Sequence, residues 1–158
     1  MDVRELLIET TTHVPPSRAI ENVSADEAVR RFSGVSHSMA EILAHMVFWQ
    51  EWFRRRCEGV GEPIPQKAAE GWPEVHRDTW PALRSRFIDD LERFVKMAET
   101  SDLDQRIVPA LEVQPLAHMT KRDAVIHVAN HNAHHLGQII ILRQIMGLWP
   151  PPSGGLTW

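Results

Sequence analysis

The sequence predicts an all-α protein, a four-helix bundle with long crossover connections. Three observations support this prediction. Apolar residues recur at three- and four-residue intervals in long segments, no segment shows the alternation of a strand, and helix caps, glycines and prolines separate the segments. With 158 residues, 43% of them hydrophobic, the chain is long enough for one core, so we expect a single domain over residues 1–158.

The N-terminal part is predicted to contain one long helix and one short helix. The long helix covers about residues 2–12 and ends before Pro15 and Pro16, which have no backbone N–H to donate. Ser24 and Glu27 have the spacing of a capping box, in which each side chain accepts a hydrogen bond from the other residue's backbone amide. A short helix therefore begins after Ser24.

The second long helix is predicted from the same capping pattern, which recurs at Ser38 and Glu41. The helix continues to Gly59, a residue type that often ends helices in the left-handed conformation. Residues 59–75 include three glycines and three prolines, which indicates a long connection over the surface.

Two more long helices follow this connection. The third begins after Thr79, with a proline in its first turn and an apolar face. Residues 101–119 are irregular, and Thr120 and Asp123 then begin the last helix, which ends near Gly147 before three consecutive prolines.

Composition excludes several functional classes. The net charge of -4 shows no basic excess, which disfavours nucleic acid as a partner. The N-terminus lacks the pattern of a signal peptide, and no apolar run approaches the roughly 20 residues of a membrane helix. We therefore expect a cytoplasmic protein that does not span a membrane. Cys57 is the single cysteine, so an internal disulfide and a cysteine-based zinc site are excluded.

The last helix contains four histidines between positions 127 and 135. Its buried stripe is predicted to comprise Ala124, Val128, His131, His135, Gln138, Leu142 and Ile145. His131 and His135 are one turn apart, so their rings can converge on one ion. His127 and His131 have the same spacing, but His127 and His135 are roughly 12 Å apart along the axis, too far to share a tetrahedral site. The stripe favours the pair His131 and His135.

The second helix places one further histidine in an apolar row. Its stripe comprises Ile42, His45, Trp49 and Trp52, so His45 is predicted to face inward. Three imidazoles from two helices form the three-ligand site that zinc enzymes use, with one position open. The alternative is that each histidine is a core residue bonded to a backbone carbonyl or to water. The pair on the last helix favours the metal site.

Other polar and aromatic residues are weaker candidates. Gln138, one turn beyond His135, is expected to hydrogen-bond metal-bound water or a group that surrounds the ligands, or to form a helix–helix hydrogen bond. Trp49 is expected to fill the core or to form a wall of the pocket. Asn132 is expected in a solvated position, and Cys57 as an unreactive residue. Histidines near predicted loops are expected on the surface: His13, His37, His76 and His118.

These residues resemble the DinB/YfiT-like superfamily of metal-binding four-helix-bundle proteins, whose members have a histidine on the second long helix and HxxxH on the last. The corresponding residues here are His45, in SMAEILAHMVFWQEW, and His131 and His135, in NHNAHHLGQI. The similarity covers essentially the whole chain, including VSADEAVRRFSGVSHS and LRQIMGLWPPPSGG.

The resemblance implies an up-down-down-up order of helices, a divalent metal such as zinc or nickel, and a homodimer. It also implies that His127 and His134 are not ligands. Leu136 stands where many relatives have an arginine, which removes a polar contact at the margin of the site but no ligand.

Some similar proteins are thiol S-transferases that use bacillithiol, mycothiol or glutathione-like cofactors. The resemblance therefore implies metal-dependent transfer of a low-molecular-weight thiol onto a small electrophilic substrate. A metal-dependent hydrolase is an alternative, but it needs a carboxylate base, and the nearest in sequence, Glu41 and Glu51, are explained by a capping box and a solvent-facing turn. A stress-response or binding module with a structural metal is a second alternative. The sequence assigns no catalytic residue.

Overall fold

The computed structural model describes residues 2–110, 113 and 116–154, and all the regular structure in these ranges is helical. The all-α class predicted from the sequence is therefore confirmed. The helices are α1 (Val3–Leu7), α2 (Pro16–Ala19), α3 (Ala25–Ala28), α4 (Met39–Cys57), α5 (Trp80–Thr100) and α6 (Lys121–Ile145). Single 3₁₀ turns form at Ala68–Gly71, Arg77–Thr79 and Leu116–His118, and Arg106 and Thr120 form an isolated antiparallel bridge.

The structure contains the caps from which the starts of three helices were predicted. Capping boxes precede α3, α4 and α6, with Ser24, Ser38 and Thr120 as the cap residues. Gly59 and Gly147 follow the ends of α4 and α6 with φ angles of 86° and 71°, the left-handed conformation that glycine adopts without a steric penalty.

The first helix is much shorter than predicted. It covers Val3–Leu7 rather than residues 2–12, and the three consecutive threonines at 10–12 lie beyond its end. The Thr10 hydroxyl accepts a hydrogen bond from the Thr12 amide (3.3 Å), a local contact that competes with helical hydrogen bonds. The described residues thus contain three long helices. The four-helix, up-down-down-up order remains a prediction.

The core lies between α4, α5 and α6, with α4 packed against both of the others and α1 against α5 and α6. Its largest fully buried apolar side chains include Leu43, Met46, Trp80, Phe87, Phe94, Leu136 and Ile139. None of the described helices is long and apolar enough to cross a membrane.

A buried arginine joins the N-terminal segment to the last helix. Arg143 of α6 is 1% exposed, and its guanidinium donates to the backbone carbonyls of Arg18, Ala19 and Leu148 at 2.8–3.2 Å. These bonds hold α2, and the turn that ends α6, in fixed positions relative to the helix that carries the predicted HxxxH pair.

Candidate metal centre

Three histidines from two helices meet in the interior. His45 comes from α4, and His131 and His135 lie one turn apart on α6. One ring nitrogen of each lies within 4.8 Å of one ring nitrogen of the other two. His45 and His135 are buried and His131 is partly buried. The structure thus brings together the three residues predicted as ligands, in an arrangement that can hold a metal ion.

Hydrogen bonds donated by the Nδ1 atoms of His45 and His135 leave the Nε2 atoms of these two rings without a proton. Nδ1 of His45 donates to the Gly71 carbonyl (2.6 Å), and Nδ1 of His135 donates to the Gln138 side-chain oxygen (2.7 Å). A neutral imidazole carries one proton, so the Nε2 atom of each ring retains its lone pair. Partners of this type fix the orientation of metal-bound histidines.

The distance between the two helices at this point suits one shared ion. Nε2 of His131 lies 3.1 Å from Nε2 of His45. Two nitrogens bound tetrahedrally to zinc, each at about 2.0–2.1 Å, lie roughly 3.3 Å apart. A divalent cation between these imidazoles would therefore need only a small adjustment of the rings.

Burial keeps these imidazoles neutral. It lowers the pKa of His45 and of His135 from the usual value, and the neighbouring histidines lower each further. For His131, burial and the two other rings of the group lower the pKa to about 3. Uncharged imidazoles keep the lone pairs that a metal requires.

The connection between α4 and α5 contributes two residues that periodicity did not predict as part of the site. Besides the carbonyl of Gly71, Trp72 stacks on His45, with ring centroids 3.9 Å apart. His37 stacks on Trp72 at 3.7 Å. His37, expected on the surface, has intermediate exposure, and this stack places it at the edge of the site. The available signal was Trp72 itself, the single aromatic residue in the sequence of the 59–75 connection.

The residues that the sequence proposed less strongly, Gln138 and Trp49, lie next to ligand candidates. Gln138 is exposed, yet it contacts His135. Trp49 lies edge-on to His45, with ring centroids 6.4 Å apart. Ile145, predicted in the buried stripe, is 53% exposed, because a strict seven-residue repeat drifts around a straight helix by about 20° per heptad.

The other histidines of α6 lie outside the three-histidine group. The His127 ring packs on Phe53, with centroids 4.6 Å apart, and His134 is exposed. Asn132, expected in a solvated position, is buried and donates to the Gln50 side-chain oxygen (2.7 Å). Leu136 is a core residue.

The remaining candidates from the sequence do not reach the centre. Glu41 completes its capping box and pairs with Arg31, and Glu51 pairs with Arg86 of α5. Cys57 is buried, and burial raises its pKa to about 12, so the thiol stays protonated and unreactive.

A cavity of about 480 Å³ adjoins the histidine group. His135 belongs both to the group and to the cavity wall, so a molecule in the cavity lies beside the candidate metal position. The wall comprises Gly34, Val35, Ser36, His37, Ile42, Trp72, His134, His135, Gln138, Ile141 and Leu142.

A comparison with family models gives a match whose range includes the three histidines. The family model of the DinB superfamily matches residues 17–139, a range that includes His45, His131 and His135. No curated protein and no solved structure gives a significant match.

Proposed function

The chain belongs to the DinB superfamily, and from this membership and the histidine site we propose that it is a metal-dependent thiol S-transferase. In this proposal His45, His131 and His135 hold a divalent cation, zinc or nickel. The substrates are a low-molecular-weight thiol and a small electrophile. The observation that supports it most strongly is the convergence of three neutral imidazoles beside a cavity that can hold a small molecule.

The donor set suits the catalytic type of metal site. Three histidines leave one position of a tetrahedral ion open, whereas structural zinc sites are usually closed by four protein ligands. A bound divalent cation supplies Lewis acidity, which lowers the pKa of a thiol and favours the thiolate.

The reaction is a nucleophilic substitution at carbon, in which the sulfur of the thiol is the nucleophile. The thiol proton passes to solvent, the sulfur forms a bond to the electrophilic carbon, and the leaving group departs with the electron pair of the broken bond. The protein's residues orient the site: Gly71 and Gln138 hold the rings of His45 and His135, and Trp72 covers one face of His45. The cavity keeps the electrophile beside His135.

A thiol-transfer assay tests the proposal. The purified chain is incubated with bacillithiol, mycothiol or glutathione and a chromogenic electrophile, with and without a chelator. We expect transfer that the chelator abolishes, that His45→Ala lacks, and that His127→Ala retains. If none of the thiols supports metal-dependent transfer, the proposed activity is wrong.

The two alternatives make different demands on the site. A hydrolase needs a carboxylate base, and Glu41 and Glu51 have other partners. A structural metal predicts that chelation lowers the melting temperature strongly while no activity is lost. The transferase proposal instead expects loss of activity with a smaller change in melting temperature.

We also propose a cytoplasmic homodimer, on the family resemblance. Light scattering on the purified protein tests the dimer, and a monomeric mass across micromolar concentrations contradicts it.

A further inference from the structure

A second open cavity, of about 600 Å³, lies among the C-terminal parts of α4 and α5 and the start of α6. Four of its wall residues are cations and one is a carboxylate, in a chain whose net charge is -4. From this concentration of positive charge we propose that this cavity, which we call the basic cavity, binds a small multivalent anion that carries a phosphoryl group. Its wall comprises Arg54, Cys57, Glu58, Arg93, Lys96, Met97, Thr100, Ser101 and Lys121.

The basic cavity is separate from the candidate metal centre. Cys57 lies twelve positions after His45 on α4, and Lys121 lies ten positions before His131 on α6. At 1.5 Å per residue these separations are about 18 and 15 Å along the helix axes. Both exceed the screening length of about 8 Å in physiological salt, so a cation on the histidines contributes little to the potential here. The proposal therefore depends on neither a bound metal nor thiol transfer.

The two arginines of the wall are partly compensated by carboxylates. Glu58 accepts from Arg54 with both side-chain oxygens, at 2.7 and 2.8 Å, so these two charges balance each other. The Arg93 guanidinium lies 3.6 Å from Asp90, whose carboxylate also lies 3.8 Å from Arg86. One carboxylate thus serves two guanidinium groups, and Arg93 keeps much of its positive charge for a ligand.

Two lysines carry the charge that is not compensated. The sequence contains three lysines, and Lys96 and Lys121 both belong to this wall. Within the described part of the chain, neither of them forms an ion pair with a carboxylate. Like charges around one cavity repel each other, and an anion between them replaces this repulsion by attraction.

Helix-end electrostatics explain one of these cations but not the lysines. Basic side chains stabilise the last turn of a helix, as Arg54 does in α4. No basic residue lies in the last turn of α5, and Lys96 precedes that turn. Lys121 is the first residue of α6, where the positive end of the helix dipole makes a cation unfavourable. A bound anion would offset this unfavourable placement.

The placement of the cations favours a phosphoryl group over a carboxylate. They come from three helices: Arg54 from α4, Arg93 and Lys96 from α5, and Lys121 from α6. A phosphoryl group presents three oxygens in three directions, whereas the two oxygens of a carboxylate lie in one plane. Guanidinium and ammonium groups both bind phosphate oxygens, and the Ser101 hydroxyl adds a neutral donor to the wall. The volume is that of a small-molecule site.

Calorimetric titration of the full chain with inorganic pyrophosphate tests the proposal. Tricarballylate, a tricarboxylate of similar size and charge, is the comparison ligand. We expect one pyrophosphate to bind per chain, and more tightly than tricarballylate. No binding of pyrophosphate at millimolar concentration overturns the proposal, and equal or tighter binding of tricarballylate overturns the assignment to a phosphoryl group.

Lysine variants locate the bound anion. Lys96→Met and Lys121→Met each remove one charge-assisted hydrogen bond, so each should weaken pyrophosphate binding by about tenfold or more. Lys67→Met is the matched control, because Lys67 is exposed and lies outside the wall. It should leave the affinity within about twofold, since its charge is distant and screened. Equal losses in all three variants would mean that the anion responds to net charge alone, which contradicts the site.

The metal centre is the other place where pyrophosphate could bind. Protein stripped with a chelator, and the variant His45→Ala, should bind pyrophosphate within about twofold of the untreated wild type, because the basic cavity is separate from the histidines. Binding that is lost on removal of the metal but retained in Lys96→Met and Lys121→Met overturns the proposal. Failure of the thiol-transfer assay leaves these expectations unchanged.

Discussion

Replacing Gly71 by alanine tests whether the connection between α4 and α5 orients the metal site. A Cβ atom at this position would lie 3.1 Å from Nε1 of Trp49 and 3.4 Å from two carbons of the same indole. Trp49 is packed edge-on against Phe48 and Trp52, so the indole has little freedom to move away. The backbone at residue 71 must therefore shift by a few tenths of an ångström.

This shift moves the carbonyl that accepts the Nδ1 proton of His45, at a contact that is already short at 2.6 Å. Loss of such a supporting partner typically weakens metal binding by about 10- to 100-fold, or roughly 1.4–2.7 kcal/mol. We expect Gly71→Ala to fall in this range. The free energy of unfolding without metal should change by only about 1 kcal/mol, because the tighter packing opposes the entropic benefit of removing a glycine.

The assay is competition for zinc or nickel with a chromophoric chelator, combined with urea denaturation of the metal-free protein. Gly137→Ala is the matched control, since Gly137 lies inside α6 with no atom near the added Cβ. It should raise stability by about 0.5–1 kcal/mol and leave metal affinity unchanged. Wild-type affinity in Gly71→Ala, or an equal loss in Gly137→Ala, refutes the reasoning.

Two further predictions concern buried charges away from the site. Arg143→Met leaves the three carbonyls that Arg143 contacts without their donor, so the free energy of unfolding measured by urea denaturation should fall by about 3 kcal/mol. The exposed control Arg30→Met should lower it by less than about 0.5 kcal/mol. A loss below 1 kcal/mol in Arg143→Met would show that water replaces the guanidinium. Asp90 is 2% exposed, and burial, aided by the nearby charge of Glu51, raises its pKa above the usual 3.8. Because the folded state then binds the proton more tightly than the unfolded state, wild-type stability falls as the pH rises through this raised pKa. Asp90→Asn should therefore be more stable than wild type by about 1 kcal/mol at pH 7, with the difference shrinking towards pH 4. A pH-independent difference would mean that Asp90 does not ionise over this range.

The sequence predicted best what depends on local spacing. Ser38 with Glu41, and Thr120 with Asp123, each identify a helix start, because a capping box needs only four consecutive residues. Helical periodicity also brought His131, His135 and His45 to inward-facing positions. The structure brings these three together, although their binding of a metal remains a prediction.

Features that depend on tertiary contacts could not be predicted in this way. Trp72 and Gly71 reach His45 through a connection whose path is not encoded in any local period, and His37 becomes part of the site only because Trp72 stacks on it. Asn132 has the sequence neighbourhood of a surface residue, but its partner Gln50 lies 82 positions away in the chain. Apolar periodicity also does not register that Thr10 accepts from the Thr12 amide, a local contact that competes with helical hydrogen bonds beyond the end of α1.

The central claim is that three particular histidines bind one divalent metal ion. The most direct test is elemental analysis of the purified protein. The protein is prepared without a metal-affinity resin, reconstituted with zinc or nickel, and dialysed before its metal content is measured. We expect about one ion per chain in the wild type, His127→Ala and His134→Ala, and a metal content near zero in His45→Ala and His135→Ala. A metal-free wild type, or ions retained by His45→Ala but lost from His127→Ala, would contradict the account.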